Sequence, residues 1–417
     1  MRICWIKAGG FVPLDFGGRI RSFQMVKELA RRHAVTVVTF YPATQDDPHH
    51  ELGPLFEELI TVPLRLPKQR SSGEFLDYVK LLVAPHAYSM QKYYRPEVRQ
   101  KISELFSRKS FDAIVCDFIY PAGVLDWDAK TPIVLFTHNV EAEVWERQYR
   151  LSKNPLRKLA FWVEYQRLTR AERYYARRAA RVLAVSESNR QFFGRYVGGA
   201  ENVTLMPTGV DTDFFRPAPD LAEERTLVFT GSMDWVPNHD AMDYFYRDIL
   251  PLIRKEEPDV EIWMVGRNPP AALCRLVEKD PKVHVTGRVE DVRPFMNRSS
   301  IYVLPMRTGS GTRLKVFEAM ASGKAIVSTP IGAEGLPVTE GENILLAETP
   351  LDFAQAVVRL TRDAALRRRL EINARALAER GLSWSAATDR LEEAIVGTLR
   401  GTAEVKSGTN KVKSGTN

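Results

Sequence analysis

Cysteine is scarce in this 417-residue chain, and long apolar runs are missing. The three cysteines, Cys4, Cys116 and Cys274, lie far apart, with no CxxC pair and no histidine cluster nearby. This pattern argues against a disulfide framework and a zinc site, and it favours a reducing compartment. No stretch approaches the roughly 18 apolar residues of a membrane span, and the apolar run after Met1 is too short for a signal peptide. We therefore expect a cytoplasmic protein.

Charge is unevenly distributed along the chain. Apolar residues make up 44% and charged residues 27%, a globular composition that excludes wholesale disorder. The net charge is +7, but residues 1–217 carry 32 Lys+Arg against 24 Asp+Glu, whereas the remainder carries 27 against 28. Within Arg147–Arg181 there are eleven basic and two acidic residues. This segment predicts either a basic surface for phosphates or anionic lipid, or a solvated helix face.

Strand-like and helical patterns alternate along the chain. The run Ile3–Ile6, a Gly/Pro loop, the amphipathic stretch Ile20–Arg32 and the run Val35–Phe40 form a β-loop-α-β unit. The alternation restarts after the Pro-rich, charged segment Phe214–Glu224, which predicts two doubly wound α/β domains with a ligand cleft at the carboxyl ends of their strands. The expected domains are 1–217, 218–383, a helix at 384–400 that crosses back to the first domain, and a low-complexity tail at 401–417 in which VKSGTN occurs twice.

A glycine-rich loop leads into a helix at Gly309–Thr329, which reads GSGTRLKVFEAMASGKAIVST. The free N–H groups and dipole of a helix N-terminus bind phosphate. Arg313 and Lys315 oppose that dipole unless an anion is bound, and Glu318 falls about one turn later, where a carboxylate can accept hydrogen bonds from ribose hydroxyls. The loop alone is equally compatible with a nucleoside diphosphate site and with a Gly-rich turn carrying a surface salt bridge.

The stretch Ser310–Gly323, together with Phe229–Ser232, Pro207–Asp211 and Val265–Arg267, resembles family 4 glycosyltransferases of the GT-B fold, including bacterial members associated with exopolysaccharide synthesis. The similarity runs from Met1 to about Leu399. It implies two Rossmann-like domains facing each other across a cleft. It also implies a retaining, metal-independent hexosyltransferase, without a cofactor, that moves a sugar from a UDP- or GDP-sugar donor to a glycan or lipid-linked acceptor in surface polysaccharide synthesis.

The resemblance also suggests site residues. The expected catalytic residues are His138, Arg313 and Lys315. The expected donor-binding residues are Gly17, Gly18, Gly231, Arg288, Val289, Ser310, Gly311, Thr312, Arg313, Leu314, Lys315 and Glu318. This chain departs from the family pattern twice, because Ser310 stands where the first of two glutamates is usual, and the loop after the first strand of the second domain, residues 231–238, lacks the usual arginine and lysine. Arg313 and Lys315 are the expected replacements.

Several of these residues have alternative interpretations. His138 follows the strand-like run Ile133–Phe136, and we expect it to face the cleft near the transferring sugar, although a lone histidine there is often a core residue. Gly17 and Gly18 either approach the donor phosphate or acceptor, or start a helix. Arg288 and Val289 follow a strand and either help to read the base or form an ordinary turn.

Three other functions are less well supported. A sugar-nucleotide epimerase of the same fold would need acid/base carboxylates, for which Glu334 and Glu340 are the candidates. The DxD triplets at 126–128 and 211–213 resemble metal-binding pairs, but both fall in turn-like segments. A non-enzymatic lipid or nucleic-acid binder would use Arg147–Arg181. Nucleic acid is not expected as a partner, because the aromatic and apolar residues of that segment fit the inward side of one long helix, namely Leu156, Leu159, Trp162, Val163, Tyr165, Leu168, Ala171, Tyr174 and Tyr175.

The basic segment also suggests how an acceptor is reached. If the acceptor is lipid-linked, the first domain would dock on the inner face of an anionic membrane through Arg147–Arg181 and the loop around Lys68 and Arg70. The expected location is therefore cytoplasmic with peripheral membrane association.

Overall fold

The computed structural model describes residues 1–14, 17–43, 47–67, 73, 77–78, 86–152, 154–206, 208–308 and 314–412, with side chains described up to residue 400. The chain forms two compact units, Met1–Pro207 with Ala387–Asn417, and Thr208–Ala386. The first unit contains a seven-stranded sheet in the order β3-β2-β1-β4-β5-β6-β7, and the second a six-stranded sheet in the order β10-β9-β8-β11-β12-β13. All neighbouring strands in both sheets are parallel, which confirms the predicted α/β class.

The strands are short and mostly buried. Those of the first sheet are β1 Arg2–Ala8, β2 Ala34–Pro42, β3 Glu58–Leu64, β4 Ala113–Asp117, β5 Ile133–Phe136, β6 Arg181–Ala184 and β7 Val203–Leu205. Those of the second are β8 Glu223–Thr230, β9 Glu261–Val265, β10 Val283–Val285, β11 Ser299–Leu304, β12 Ala325–Ser328 and β13 Leu345–Leu346. Strand β1 is buried from Ile3 to Ala8, as expected for a central parallel strand covered on both faces.

Helices connect the strands. In the first unit they are Gly17–Ala30, Tyr88–Gln91, Pro96–Arg108, Glu141–Leu151, Pro155–Arg178 and Glu187–Val197. In the second they are Val236–Tyr244, which continues through a π-helical turn Phe245–Ile249 into Leu250–Glu256, then Ala271–Val277, Arg293–Arg298, Leu314–Ala321, Pro350–Arg362 and Ala364–Gly381. Short 3-10 turns span His50–Leu55, Ala122–Val124, Ala200–Asn202 and Pro219–Leu221.

Each sheet contains a point at which the strand order reverses. In the first sheet, connections run outward from β1 through β2 to β3 and then return to β4 on the other side of β1. In the second, β8 lies between β9 and β11 in the same way. Ligands of doubly wound sheets bind at the carboxyl ends of the strands at such a point. The residues at the carboxyl ends of β1, β4, β8 and β11 are therefore candidates for a ligand-binding site.

The final helix, Trp384–Val412, contacts the start of the chain. Arg32 forms ion pairs with Asp389 and Glu392, and the Nε2 atom of His33 lies 3.2 Å from Glu392. These contacts belong to the first unit, which the chain rejoins at Ala387. The two units divide at residues 207 and 386, ten and three residues away from the predicted 217 and 383.

The long basic helix Pro155–Arg178 corrects one expectation. Its side chains Leu168, Ala171 and Tyr175 are buried as predicted. However, Leu156 is 78% exposed, Leu159 58%, Trp162 44% and Tyr174 47%, so the prediction of a single inward face is wrong for these residues. The helix has 24 residues and is about 36 Å long, whereas the neighbouring four-residue strands span only about 13 Å. A helix of this length extends beyond these two strands, and the described part of the chain leaves Leu156 and Leu159 of its first turns exposed.

Candidate active site

A buried polar network lies at the carboxyl ends of β1 and β4. The parallel register pairs Lys7 with Asp117, which brings their side chains together at the reversal point. The Nζ atom of Lys7 lies 3.4 Å from Oδ2 of Asp117 and donates to Oγ of Ser22 at 2.9 Å. Trp5 Nε1 donates to the same Asp117 oxygen at 3.0 Å. None of these four residues is more than 2% exposed, so the charges are compensated inside the protein.

His138 belongs to this network. Its Nε2 atom lies 2.8 Å from Oδ1 of Asp117, and the residue is only 6% exposed. Burial lowers the pKa of His138 to about 3, against the opposing effect of Asp117. Burial also opposes ionisation of Asp117, but the charge of Lys7 and the hydrogen bond from His138 outweigh it and lower the carboxyl pKa to about 2. At neutral pH the histidine is therefore neutral and the aspartate ionised.

A second buried cation joins the network from the helix Gly17–Ala30. Arg21 donates from Nη1 to the Thr137 carbonyl oxygen at 2.6 Å and from Nη2 to the Met206 carbonyl oxygen at 2.7 Å. Its guanidinium lies 4.3 Å from the centre of the Phe136 ring. Burial lowers its pKa to about 9, opposed by Asp117, so Arg21 stays charged at neutral pH. Arg21 thus connects the first helix to the ends of β5 and β7.

The sequence motifs did not indicate Lys7, Asp117, Ser22 or Arg21. A usable signal existed for Lys7 and Asp117, because each is a charged residue directly after an apolar strand. The predicted Gly17 and Gly18 form the start of the helix Gly17–Ala30, and the Ser22 hydroxyl donates to the Gly18 carbonyl oxygen at 2.9 Å. The glycine pair therefore lies next to the network, and its role in binding stays a prediction.

In the second unit, two predicted motifs meet at the carboxyl ends of β8 and β9. The Gly231 N–H donates to the Val265 carbonyl oxygen at 2.9 Å. A Cβ atom on Gly266 would lie 1.8 Å from the Gly231 carbonyl oxygen, and one on Gly231 would lie 2.6 Å from the Lys315 Nζ atom. Neither position has room for a side chain, which explains glycine at both.

Lys315 extends from the helix Leu314–Ala321 to this same point. Its ammonium group donates to Oδ1 of Asn238 and lies 4.4 Å from the centre of the Phe229 ring. Asn238 in turn donates from Nδ2 to the Ser232 carbonyl oxygen at 2.7 Å. Asn238 was missed by the sequence analysis, because it lies 77 residues from Lys315 and carries no charge. The half-buried lysine brings a positive charge to the loop that lacks the family's cations.

Glu318 lies one turn after Lys315 and is half-buried. Burial raises its pKa to about 7, and Lys315 opposes this shift. Beneath it, Tyr302 Oη and Thr230 Oγ1 are hydrogen-bonded at 2.9 Å, and burial, with a smaller effect of Glu318, raises the pKa of Tyr302. A carboxyl group with this pKa can still accept a hydrogen bond at neutral pH, because its ionised form is well populated.

Three of the remaining predicted donor-binding residues lie within the described part of the chain. Leu314 and Val289 are half-buried and pack against the core of the second unit, whereas Arg288 is exposed. Ser310, Gly311, Thr312 and Arg313 lie outside the described residues, as do Lys68 and Arg70.

The carboxylates proposed for the epimerase and for a metal site are either exposed or hydrogen-bonded within their own turns. Glu334 and Glu340 are exposed, and Glu340 accepts a hydrogen bond from the Leu346 N–H. In each DxD triplet the first aspartate accepts a backbone N–H within its own turn. Across the ranges that the structure describes, no group of three or more His, Cys, Asp or Glu side chains is placed to hold a metal ion.

Two units, each built on a doubly wound parallel sheet, correspond to the two-domain α/β architecture of the GT-B fold. Comparison with known families agrees. A model described as "Glycosyltransferase Family 4" matches residues 17–214, and one described as "Glycosyl transferases group 1" matches residues 224–363. The chain belongs to this glycosyltransferase family, which confirms the resemblance found in the sequence.

Solved structures show the same fold. A sucrose-phosphate synthase from Thermosynechococcus elongatus superimposes with a TM-score of 0.67 at 18% identity, covering 94% of this chain and 97% of that one. Anabaena HepE, solved in complex with UDP and glucose, gives a TM-score of 0.64 at 15% identity, covering 94% and 99%. WaaG, described as a glycosyltransferase involved in lipopolysaccharide biosynthesis, gives 0.60 at 16% identity, covering 94% and 99%.

Several curated proteins are similar in sequence, among them the following two. An uncharacterized 44.6 kDa protein from the cps region of Klebsiella pneumoniae is 20% identical over 374 residues, covering 87% of this chain and 91% of that protein. A phosphatidyl-myo-inositol mannosyltransferase of Mycobacterium leprae is 28% identical over 221 residues, covering 50% of this chain and 57% of that enzyme.

Proposed function

We propose that this glycosyltransferase moves a hexose from a UDP- or GDP-sugar to a glycan or lipid-linked acceptor in bacterial surface polysaccharide synthesis. The names of similar proteins support each part. HepE was solved with UDP and glucose, the mycobacterial relative is a mannosyltransferase named for a lipid acceptor, and the Klebsiella relative is encoded in a cps region. The catalytic residues proposed are His138, Arg313 and Lys315.

The observation that carries the donor assignment is the Lys315 ammonium at the end of β8. It lies against Gly231, is hydrogen-bonded to Asn238, and has Glu318 one helical turn away. A cation in this place would stabilise the charge that develops on the β-phosphate as the nucleoside diphosphate leaves, since preorganised charge is a large contribution to catalysis. Glu318 would accept the ribose hydroxyls.

The proposed reaction retains the configuration of the sugar. The bond between C1 of the sugar and the phosphate oxygen breaks, the acceptor oxygen bonds to C1 from the same face, and the acceptor proton passes to the departing phosphate. Asp117, a buried carboxylate close to His138, is already bound by Lys7, Trp5 and His138, which makes it a poor covalent nucleophile. Same-face attack is therefore preferred to double displacement.

The test is a screen of UDP- and GDP-sugars with the full chain. A nucleoside diphosphate that binds the folded protein at 100 times its Kd should stabilise it by about 2.7 kcal/mol, visible as a rise in Tm. Release of nucleoside diphosphate with a new glycosidic bond would support transfer. An epimerised nucleotide sugar without transfer would support the epimerase instead, and absence of any nucleotide effect would contradict the donor assignment.

Metal independence needs its own test, because two DxD triplets are present. The proposed positive charge comes from Lys315, Arg313 and a helix end. Transfer should therefore survive EDTA nearly intact. Complete loss in EDTA that Mg²⁺ or Mn²⁺ restores would contradict this part of the proposal.

Membrane docking is the proposed route to a lipid-linked acceptor. The exposed side chains Leu156, Leu159 and Trp162 lie at i, i+3 and i+6 on one face of the basic helix, beside the exposed Arg157 and Lys158. An apolar stripe flanked by cations is typical of helices that lie in a membrane interface. Among the helices that the structure describes, none is long and apolar enough to cross a membrane.

Vesicle co-sedimentation tests this docking. Binding to anionic but not neutral vesicles, weakened by salt, is expected, since each Lys or Arg near an anionic surface contributes about 1 kcal/mol. Trp162→Ser should reduce binding, whereas Tyr174→Ser, an exposed aromatic near the other end of the same helix, is the matched control. Equal recovery in the supernatant with both vesicle types at low salt would contradict the membrane proposal.

A further inference from the structure

A cavity of about 360 Å³ lies at the amino ends of the strands in the second unit. Its lining includes Glu224, the second residue of β8, and Ser300, the second residue of β11. It also includes Lys324, which directly precedes β12. In a parallel sheet all amino ends lie at one edge, so this cavity is at the edge opposite to the carboxyl end of β8, where Lys315 is found.

The helix Leu314–Ala321 separates the cavity from the proposed donor site. Lys315 lies in its first turn, whereas the segment that follows its last residue, Ser322–Lys324, lines the cavity. Eight helical residues span about 12 Å. A ligand in the cavity and a nucleotide at Lys315 would therefore occupy opposite ends of one helix without touching each other.

The charged side chains that line the cavity are positive in excess. The cations are Lys324, Arg367 and Arg368, and the carboxylates are Glu224 and Glu371. The two arginines come from the first turns of the helix Ala364–Gly381 and so reach the cavity side by side. A concave surface with surplus positive charge attracts an anion.

The carboxylates do not use up the donors of the two arginines. Glu371 lies 3.9 Å from Arg367 Nε and 3.4 Å from Arg368 Nη1, and Glu224 lies 4.0 Å from Arg367 Nη2. All three distances exceed the roughly 2.7–2.9 Å of a strong charge-assisted hydrogen bond. Arg367 is instead fixed by donating from Nη1 to the Leu360 carbonyl oxygen at 2.8 Å. Since a guanidinium has five N–H donors, both arginines keep donors for a ligand.

Lys324 is held in place by backbone carbonyl groups. Its Nζ atom donates to the Ser299 carbonyl oxygen at 2.8 Å and to that of Asn297 at 3.3 Å. An ammonium group has three donors, so these contacts leave one for a ligand. Burial lowers the pKa of Lys324 to about 8, and Glu371 opposes this shift. The lysine is therefore mostly charged at neutral pH, and a bound anion would stabilise its charged form.

The size and the remaining lining of the cavity indicate what accompanies the anion. Small-molecule pockets begin at about 300 Å³, whereas a water molecule takes about 30 Å³ of the liquid, so a bare anion would fill only part of this space. Pro217, Pro219 and Ala222 form an apolar part of the wall. Glu224 and Glu371 can accept hydrogen bonds from hydroxyl groups. This combination suits a small body that has both C–H surface and hydroxyl groups.

We propose that this cavity is a second ligand site that binds a sugar phosphate, with the phosphate group on Lys324, Arg367 and Arg368. A phosphate ester offers a charge of about −1.5 to −2 and three acceptor oxygens, and guanidinium groups match its geometry. The hydroxyl groups bind Glu224 and Glu371. The sugar ring packs on the apolar wall.

The first experiment is calorimetric titration of the full chain. The probes are glucose 6-phosphate, mannose 6-phosphate and ribose 5-phosphate, with inorganic phosphate and glucose for comparison. At least one sugar phosphate should bind at least tenfold more tightly than inorganic phosphate or glucose, because only it uses the cations and the rest of the cavity together. Inorganic phosphate that binds as tightly as every ester would overturn the sugar phosphate assignment. Absence of binding by all probes would overturn the site.

A pair of neighbouring arginines then tests the location. Arg368→Ala should raise the Kd of the tightest ester at least tenfold, and its exposed position makes loss of folding unlikely to interfere. Arg369→Ala is the matched control, because Arg369 is also exposed but lies outside the cavity lining, with Nη2 3.4 Å from the Gly341 carbonyl oxygen. Equal Kd values for the two variants would overturn the assignment.

Lys315→Ala distinguishes this cavity from the proposed donor site. The affinity for the ester should stay unchanged, because Lys315 lies at the other end of its helix. A tenfold loss in Lys315→Ala would mean that the ester binds at the donor site and would overturn the second site. The titration needs neither a nucleotide nor sugar transfer, so failure of the proposed function would leave its result valid.

Discussion

The polar groups at the two reversal points differ in how they meet water. In the first unit Lys7, Asp117 and His138 are almost completely buried and satisfy one another. In the second unit Lys315 and Glu318 are only half-buried. A buried network holds its members in one geometry, whereas a half-buried cation keeps the ability to bind an incoming anion. The same kind of sheet edge therefore provides a rigid buried network in one unit and a partly solvent-exposed cation in the other.

The largest expected effect comes from breaking the buried pair. Lys7→Met should lower the free energy of unfolding by about 3–5 kcal/mol, because it leaves Asp117 charged, buried and without its lysine. Lys315→Met is the matched control in the second unit and should cost less than about 1 kcal/mol. Urea denaturation measures both. Equal costs for the two variants would mean that the two networks do not differ in the way described.

The next effect concerns transfer and not folding. His138→Ala should lower kcat/KM by about 10²-fold, equivalent to about 2.7 kcal/mol of transition-state stabilisation. Donor binding should change much less, because His138 and the proposed nucleotide site belong to different units. Steady-state kinetics and nucleotide titration on the same preparation check this. A fully active His138→Ala would return the histidine to an ordinary core role.

Lys315→Ala should act on nucleotide binding itself. A charge-assisted hydrogen bond to phosphate is worth about 1.5–3 kcal/mol, so the Kd for UDP or GDP should rise at least tenfold. Arg313→Ala is expected to behave alike. Lys282→Ala, which removes a surface lysine paired with Asp259 in the same unit, is the control. Unchanged affinity in both site variants would move the diphosphate to another part of the protein.

The smallest effect is a pH dependence. Because burial raises the pKa of Glu318 to about 7, its carboxyl group is mostly ionised at pH 8 and mostly protonated at pH 6. If the ionised form binds ribose, nucleotide affinity should fall by about threefold to tenfold as the pH is lowered from 8 to 6. Glu318→Gln removes this part of the pH dependence and leaves any contribution from the phosphate. Identical pH profiles for the two proteins would exclude Glu318 from ribose binding.

Glu318 affects stability with the opposite sign. Its pKa is higher in the folded protein than the usual 4.5, so the folded state holds its proton while the unfolded chain has lost it. The free energy of unfolding therefore falls as pH rises from about 4.5 to 7. As pH rises, nucleotide affinity is therefore expected to increase while the contribution of Glu318 to the free energy of unfolding decreases.

Several of the residues that meet at the end of β8 could be selected from the sequence alone, and their role in binding stays a prediction. The glycines at 231 and 266 and the lysine at 315 occur in short motifs, and the structure explains them by close backbone approach and by charge at the end of β8. Asn238 could not be found in this way, because its role depends on a contact between distant positions. Lys7 and Asp117 lie 110 residues apart, and only the register of β1 against β4 pairs them.

By itself, the sequence determined the alternation of strands and helices, the glycine motifs and the family, because these are encoded in local spacing. Only the tertiary structure determined which charged side chains are buried. Periodicity showed that the helix Pro155–Arg178 has apolar positions, but not that Leu156, Leu159 and Trp162 would be exposed on a helix longer than the four-residue strands β5 and β6. Burial depends on what other segments cover, and that information is not local. For the same reason His138 could be located at the end of a strand, while its neutral, oriented state required Asp117 and Lys7 from two other strands.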